Sequence, residues 1–374
     1  MDIKKLIRAR LLAMKGYTPI EPVEVLEEQL DRKVIKLDGN ENPYGCSPKV
    51  LSALAAYPYY HIYPDPQQRK LGEALEKYTG ISRQNIVCGS GSDELIDLVL
   101  RLFLEPGDRV INCPPTFGMY PFCTGVCGGK VIEVPRKEDF ALDIPGIKKA
   151  LDKKTKVIFI ASPNNPTGNV AAEEELLELV DTGRVVVVDE AYYEFSGTTV
   201  AKLVPGYPNL VVLRTFSKWA GLAGLRVGYG IFPGEIAGYL MEIKQPYNIN
   251  VAAQVAVLAS LDDIDYLRDN IKKIVAERDR LSKRLGELGG LTLYPSRANF
   301  VLCSLWGMPT REIWQELRKK GIFVRYFDAP RLKDCLRISA GKPENTDALV
   351  EALKALPGHC ERSEAISSIN KMEV

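Results

Sequence analysis

Apolar residues along this chain fall into two textures, short continuous runs and longer stretches with helical spacing. The runs at 86–88, 109–113, 130–134, 157–161, 185–189, 210–215 and 226–232 are rich in Val and Ile. They lack the polar alternation of a half-wetted strand, which predicts strands buried on both faces. Between them, at 93–104, 117–124, 144–151 and 173–180, apolar positions recur every three or four residues and predict helices. Such alternation predicts an α/β fold with a largely parallel sheet covered on both sides. After residue 251 the texture changes. Helical spacing over 251–260 and 263–288 gives way to strands at 291–294, 300–304, 322–325 and 336–339, with helices at 310–320 and 345–356. That part reads as a smaller α+β domain. Ile3, Leu6, Ile7, Leu11 and Met14 predict a short amphipathic helix over 3–14, and a second is expected over 23–30. The expected division is an N-terminal segment 1–44 belonging with the small domain, a large domain 45–260, a small domain 261–356, and a tail 357–374. The tail is polar without a period, and disorder is expected there.

Composition narrows the chemistry. A chain of 374 residues exceeds one typical core, and 46% hydrophobic with 26% charged residues describes a globular protein. A net charge of +1 gives no footprint for nucleic acid or an acidic membrane surface. With only His61 and His359 present, histidine triads and multi-histidine metal sites are excluded, so no metal is expected. The eight cysteines are scattered and form no C-x-x-C pair, as in reduced thiols of a cytoplasmic protein. No apolar run reaches membrane-spanning length, and the first residues lack a signal-like apolar stretch.

Lys218 follows the apolar run 210–213, and Arg226 stands eight residues beyond it. A lysine at the end of a buried strand is desolvated, which lowers its pKa and makes the amine nucleophilic toward a carbonyl. An arginine nearby holds a phosphate bidentately. Lysine and phosphate anchor together are the attachment pattern of pyridoxal phosphate, an electron sink for carbanions at an amino acid Cα. Asp189 ends the Val185–Val188 run, where it serves either as a helix cap or salt-bridge partner, or as partner to a pyridine nitrogen. Tyr192 follows closely enough to reach the same ring's phenolic oxygen. The turn from Ser162 to Gly168 presents Asn165, and its prolines and glycine also account for it as a plain turn. Gly89-Ser90-Gly91-Ser92-Asp93-Glu94 opens a helix with small residues, whose free N–H groups suit one phosphate. Glu94 breaks the dinucleotide G-x-G-x-x-G pattern.

These stretches resemble the aspartate-aminotransferase superfamily of pyridoxal-phosphate enzymes, and within it the histidinol-phosphate aminotransferase branch. The matching segments include Asp38-Gly39-Asn40-Glu41-Asn42-Pro43-Tyr44-Gly45, Tyr63-Pro64-Asp65-Pro66, Val188-Asp189-Glu190-Ala191-Tyr192, Arg214-Thr215-Phe216-Ser217-Lys218, Gly221 to Arg226, and Leu336-Arg337-Ile338-Ser339. They extend over about residues 10–356. The resemblance implies a pyridoxal-phosphate transferase fold of the aspartate-aminotransferase type. It implies that Lys218 carries the cofactor and shuttles a proton, that Asp189 holds the ring nitrogen, and that Asn165 and Tyr192 serve the phenolic oxygen. Ser217, Arg226 and the N–H groups of Ser92 and Asp93 would bind the phosphate. Tyr63 resembles a tyrosine that reaches the neighbouring subunit's phosphate, which implies a homodimer with a shared active site. Phe117 stands where the family often stacks a tyrosine on the ring, and Trp219-Ala220 replaces a commoner pair, with its effect on the pocket left open by the sequence.

The implied reaction moves an amine between glutamate and imidazole-acetol phosphate, in histidine biosynthesis. Its site must accept a carboxylate in one half-reaction and a phosphate monoester in the other. Arg337 resembles the arginine that clamps the substrate's anionic group, and Arg325 is a second candidate for the doubly charged phosphate. An aromatic amino acid aminotransferase, a threonine-phosphate decarboxylase and a non-catalytic ligand-binding module are the alternative readings.

Overall fold

The computed structural model describes residues 1–14, 16–305 and 309–356. The expected disorder of 357–374 lies outside the described residues. Strands in chain order are β1 Ile35–Leu37, β2 Ile86–Gly89, β3 Arg109–Asn112, β4 Lys130–Glu133, β5 Thr155–Ala161 and β6 Val185–Asp189. They continue as β7 Leu210–Thr215, β8 Gly228–Ile231, β9 Leu291–Tyr294, β10 Phe300–Leu305, β11 Ile322–Tyr326 and β12 Cys335–Ser339. Seven of them form one sheet in the order β2-β8-β7-β6-β5-β3-β4. β3 to β7 pair in parallel, and β8 alone runs against its neighbours.

The reason for the unbroken apolar runs is visible in β6. Val186 and Val188 pack into a core on one face of the sheet, whereas Val187 packs into a separate core on the other. A strand covered on both faces needs an apolar residue at every position. Each fully buried Val contributes about 1.5–3 kcal/mol. The covering helices supply matching stripes, as in Ser92–Phe103, which buries Leu95, Ile96, Leu98, Val99 and Leu100.

The second sheet has the order β1-β11-β12-β10-β9. β1 joins it in parallel with β11, so the segment before residue 45 contributes a strand beside the C-terminal part of the chain. Its apolar core contains Leu37, Val324, Leu336 and Ile338.

Three expectations need correction. The helix expected over 3–14 is instead a 3-10 turn, Ile3–Leu6, and one α turn, Ala9–Leu12. Neither piece buries a residue, and short helices without tertiary packing do not hold together. The strand expected from 226 starts at Gly228, because Arg226 adopts a left-handed φ of 53° and turns out of the sheet. The helix expected from 117 starts at Met119. Helices Pro48–Ala56, Arg69–Thr79 and Gly234–Ile243 are additional to those expected.

Candidate active site

Parallel strands of the large sheet end together, and side chains just beyond those ends collect in one place. β6 ends in Asp189, β5 leads into the turn from Ser162, and β7 leads into Ser217 and Lys218. A cavity of about 440 Å³ opens there. It is lined by Ser92, Asp93, Phe117, Asn165, Asp189, Tyr192, Ser217, Lys218 and Arg226, and from the small sheet by Arg325 and Arg337. Tyr63 is not brought into this cavity. It is 78% exposed and stacks on Tyr247 with ring centroids 4.6 Å apart. Trp219 is not among the residues that line this cavity. It is wholly buried behind the lysine and stacks on Tyr78 at 5.6 Å.

Lys218 is held in a tight cage. Its ammonium donates to the Gly39 carbonyl at 3.0 Å. Burial, and then the nearby Arg337 charge, bring its pKa down to about 8. The loop behind it is pinned, because Asn42 Nδ2 donates to the Trp219 carbonyl at 2.7 Å. Gly221 is required there: at φ +69° a Cβ would lie 2.4 Å from the Gly45 carbonyl.

Asp189 lies at the bottom. Its Oδ2 accepts from the Tyr120 hydroxyl at 2.7 Å and its Oδ1 from the Ala191 N–H at 3.1 Å. Burial pushes the carboxyl up to about 6, and the Tyr120 bond is the strongest opposing influence. The adjacent Glu190 belongs to a different structure, a buried pair with Arg214 at 2.9 Å. Tyr192 Oη accepts from Asn40 Nδ2 at 2.9 Å. Asn40 is itself fixed by a φ of 54°, by Ser339 and by Asn299, so it joins the large-sheet site to the small sheet.

The two asparagines of the β5 turn separate by role. Asn164 is buried and builds the turn, donating to the Pro115 carbonyl at 3.0 Å and to Thr167 at 2.7 Å. Asn165 faces the cavity, where its Oδ1 accepts from Arg337 at 2.6 Å. Arg337 also donates to the Asp38 carbonyl, and its Nε has no partner. Among the described residues this buried guanidinium therefore meets neutral acceptors and no carboxylate. Arg325 stands directly opposite Arg337 in the β11–β12 register. Like charges on such a rung repel, and Arg325 adds to burial in pulling Arg337 below its ordinary pKa.

A second basic group sits across the cavity. Arg226 Nη2 pairs with Asp93 at 2.9 Å beside the start of the helix Ser92–Phe103. Gly91 precedes that helix with φ 79° and ψ 163°, a conformation essentially confined to glycine. A Cβ on Gly91 would lie 2.7 Å from Arg226 Nη2, and one on Gly228 would lie 2.7 Å from the Ser92 nitrogen. The missing side chains leave a cup lined by backbone N–H groups and a guanidinium, which suits a phosphate. A phosphate cup, an amine of lowered pKa and a buried carboxylate together fit pyridoxal phosphate, as three chemically distinct anchors.

Asn40, Tyr120 and Tyr17 were not singled out from the sequence. Asn40 lay within a segment already matched, but its role depends on its backbone conformation. Tyr120 is completely buried in a helix and reads as core. Tyr17 meets Phe117 edge-on at 6.3 Å from a segment without regular structure.

The family model for aminotransferase class I and II matches residues 32–353. A histidinol-phosphate aminotransferase of Dehalococcoides mccartyi is 51% identical over 94% of this chain and 98% of its own length. The chloroplastic histidinol-phosphate aminotransferase 1 of Arabidopsis thaliana is 49% identical over 93% of this chain and 85% of its own. The crystal structure of histidinol-phosphate aminotransferase from Sinorhizobium meliloti in complex with pyridoxal-5'-phosphate superposes with a TM-score of 0.84. It is 28% identical and covers 95% of this chain and 98% of that one. With half its residues shared along nearly its whole length, this chain belongs to the histidinol-phosphate aminotransferases, within the class I and II aminotransferases.

Proposed function

We propose that the protein passes an amino group between glutamate and imidazole-acetol phosphate, giving 2-oxoglutarate and histidinol phosphate, as a step of histidine biosynthesis. The observation that carries the substrate reading is the cross-strand pair of Arg325 and Arg337. A buried arginine held only by neutral acceptors is stabilised by an incoming anion. A carboxylate satisfies Arg337, and a phosphate dianion also draws on Arg325. A pocket for aromatic amino acids needs only the first of these charges.

When bound, pyridoxal phosphate supplies an electron sink for the charge that develops at an amino acid's Cα. The chain's own residues do the rest. Asp189 would hold the ring nitrogen's proton, and the Tyr120 hydroxyl favours its ionised form. Phe117 would lie against the ring, for which only its aromatic surface is needed. Asn165 and Tyr192 would serve the phenolic oxygen. Ser217, Arg226 and the N–H groups of Ser92 and Asp93 would hold the phosphate. Lys218 Nζ would take and hold the substrate's Cα proton, a role suited to an amine with a pKa of about 8.

We also take the protein to be a homodimer with Tyr63 reaching the partner's phosphate. Supporting this, Leu51, Tyr59, Tyr60, Ile62, Tyr63, Tyr239, Ile243 and Tyr247 are all exposed large apolar residues. Tyr63 and Tyr247 stack on one another at 4.6 Å while both stay exposed, and paired exposed aromatic rings suit an interaction face. We assign residues 1–44 to the smaller domain with 261–356, which the β1–β11 pairing supports, and 45–260 to the larger. We place the protein in the cytoplasm, consistent with the free cysteines among the described residues. No described helix is long and apolar enough to cross a membrane.

The test is to mix the loaded protein separately with glutamate, histidinol phosphate, phenylalanine and threonine phosphate, and to follow the cofactor's absorbance. Rapid changes with glutamate and histidinol phosphate are expected. A faster response to phenylalanine than to histidinol phosphate would overturn the substrate assignment. Carbon dioxide release from threonine phosphate would identify a decarboxylase instead.

A further inference from the structure

Lys244 caps the helix Gly234–Ile243 and is only 6% exposed. Among the described residues its ammonium has no salt-bridge partner, although it is almost fully removed from water. It donates instead to the carbonyls of Pro66 at 3.1 Å, Pro246 at 3.2 Å and Gln245 at 3.3 Å, and to Asn248 Oδ1 at 3.4 Å. Burial penalises the ammonium, the Glu94 and Asp65 charges offset part of that, and every group it donates to directly is neutral. What the charge provides is direction. Its acceptors lie on two separate loops, and each loop carries one ring of the exposed Tyr63–Tyr247 stack.

The hydrogen bonds continue inward from there. Asn248 Nδ2 donates to Glu94 Oε2 at 2.8 Å and to the Cys88 carbonyl at 3.0 Å. The same Glu94 oxygen accepts from the Ser90 N–H, which fixes the turn immediately before Gly91 and Ser92. Gln68 braces the junction, bonding Asn248 Oδ1 at 2.9 Å and both backbone groups of Cys88. An unbroken path of polar contacts thus leads from the Pro66 loop through Lys244, Asn248 and Glu94 to the phosphate cup.

We propose that Lys244 is a positioning residue that couples the phosphate cup to the loop bearing Tyr63, so that filling the cup orders the face offered to the partner subunit. The proposal rests on the shared-site homodimer reading given above. It adds a direction of communication within each chain, from its own cup to the tyrosine it lends to its partner. A residue with a merely structural role would loosen both ends whether or not the cofactor is present. A coupling residue changes how one end responds to the other.

Amide hydrogen exchange on the full chain, with and without pyridoxal phosphate, separates these cases. In the wild-type dimer, the cofactor is expected to slow exchange in both 89–94 and 58–67. In Lys244→Met, slowing is expected to persist in 89–94 and to vanish in 58–67. Release of pyridoxal phosphate should also quicken by roughly tenfold, within the usual range of a coupling between two sites. Asn248→Ala cuts the same path while keeping Lys244, so it decides the matter if the first variant fails to fold. Equal cofactor responses at 58–67 in a folded variant and the wild type would overturn the coupling and leave the shared site intact. A wild type that is monomeric by light scattering would defeat the shared-site reading, and the coupling with it.

Discussion

Removing a single oxygen atom, in Tyr120→Phe, tests how Asp189 is kept charged. The substitution is nearly free of packing cost. The Tyr120 ring is stacked on Phe159 at 4.8 Å with an interplanar angle of 4°, and phenylalanine occupies the same space. What disappears is the 2.7 Å bond to Asp189 Oδ2. A hydrogen bond to an ionised group is worth about 1.5–3 kcal/mol. One pKa unit corresponds to about 1.4 kcal/mol. Losing the bond should therefore raise the carboxyl from about 6 by roughly 1–2 units. At neutral pH Asp189 then changes from mostly ionised to half or more protonated, and the ring proton we propose it holds would be attracted less.

The same shift appears in stability, without cofactor or turnover. Asp189 has a folded pKa of about 6 against an ordinary value of 3.8, so between these values the folded state binds more protons than the unfolded. Its contribution is fully present below the ordinary value and is lost as pH rises through about 6. In Tyr120→Phe the loss continues to higher pH. The stability gap between the two proteins should widen by about 1.5–3 kcal/mol from weakly acidic to weakly alkaline solution. Urea unfolding of the cofactor-free proteins across that range measures it. The carboxyl ¹³C resonance of Asp189 gives the midpoint directly. A stability gap independent of pH, with an unmoved carboxyl midpoint, would refute the reasoning.

Three further outcomes follow from the same geometry. Lys218→Ala should abolish turnover while retaining pyridoxal phosphate through the other anchors, and borohydride should trap no cofactor on the variant; a trapped adduct at another lysine would contradict the assignment. Arg325→Ala should raise the KM for histidinol phosphate roughly tenfold or more with little change for glutamate, whereas Arg337→Ala should impair both half-reactions; equal losses in the Arg325 variant would count against a phosphate-specific role. Gly91→Ala introduces a Cβ 2.7 Å from Arg226 Nη2 at φ +79°, so equilibrium dialysis should show at least tenfold weaker pyridoxal phosphate binding, with unaltered affinity as the contrary result.

The large sheet was readable because its strands face two cores, and an uninterrupted run such as Val185–Val188 suits little besides a strand covered on both sides. Helix Glu173–Val180 was readable for the complementary reason, a stripe of Leu176, Leu179 and Val180 behind an acidic first turn. The 3–14 segment misled because its apolar spacing is genuine but finds nothing to pack against. Helix Arg69–Thr79 gave no start signal, since Gln68 enters it in a left-handed conformation without a side-chain cap. Within the site, reactive groups at strand ends were identifiable because their chemistry is rare in such positions. Their supports were not. Tyr120 and Lys244 look like core and surface residues until the fold brings Asp189 to one and Pro66 to the other. The opposition of Arg325 and Arg337 is a matter of strand register, and register across β11 and β12 is not written in either strand alone.

That rung has an evolutionary consequence. On the proposed reading, the charge offered to a substrate's far end is set at position 325 on the small sheet, whereas Asp189, Ser217 and Lys218 stand at strand ends of the large one. If Arg325 receives the phosphate as proposed, a single codon there would alter whether the pocket prefers a dianion or a monoanion, with Lys218 and Asp189 left untouched. Specificities that differ in that one charge would then lie a single step apart, and a duplicated gene could move between them with its cofactor anchors intact.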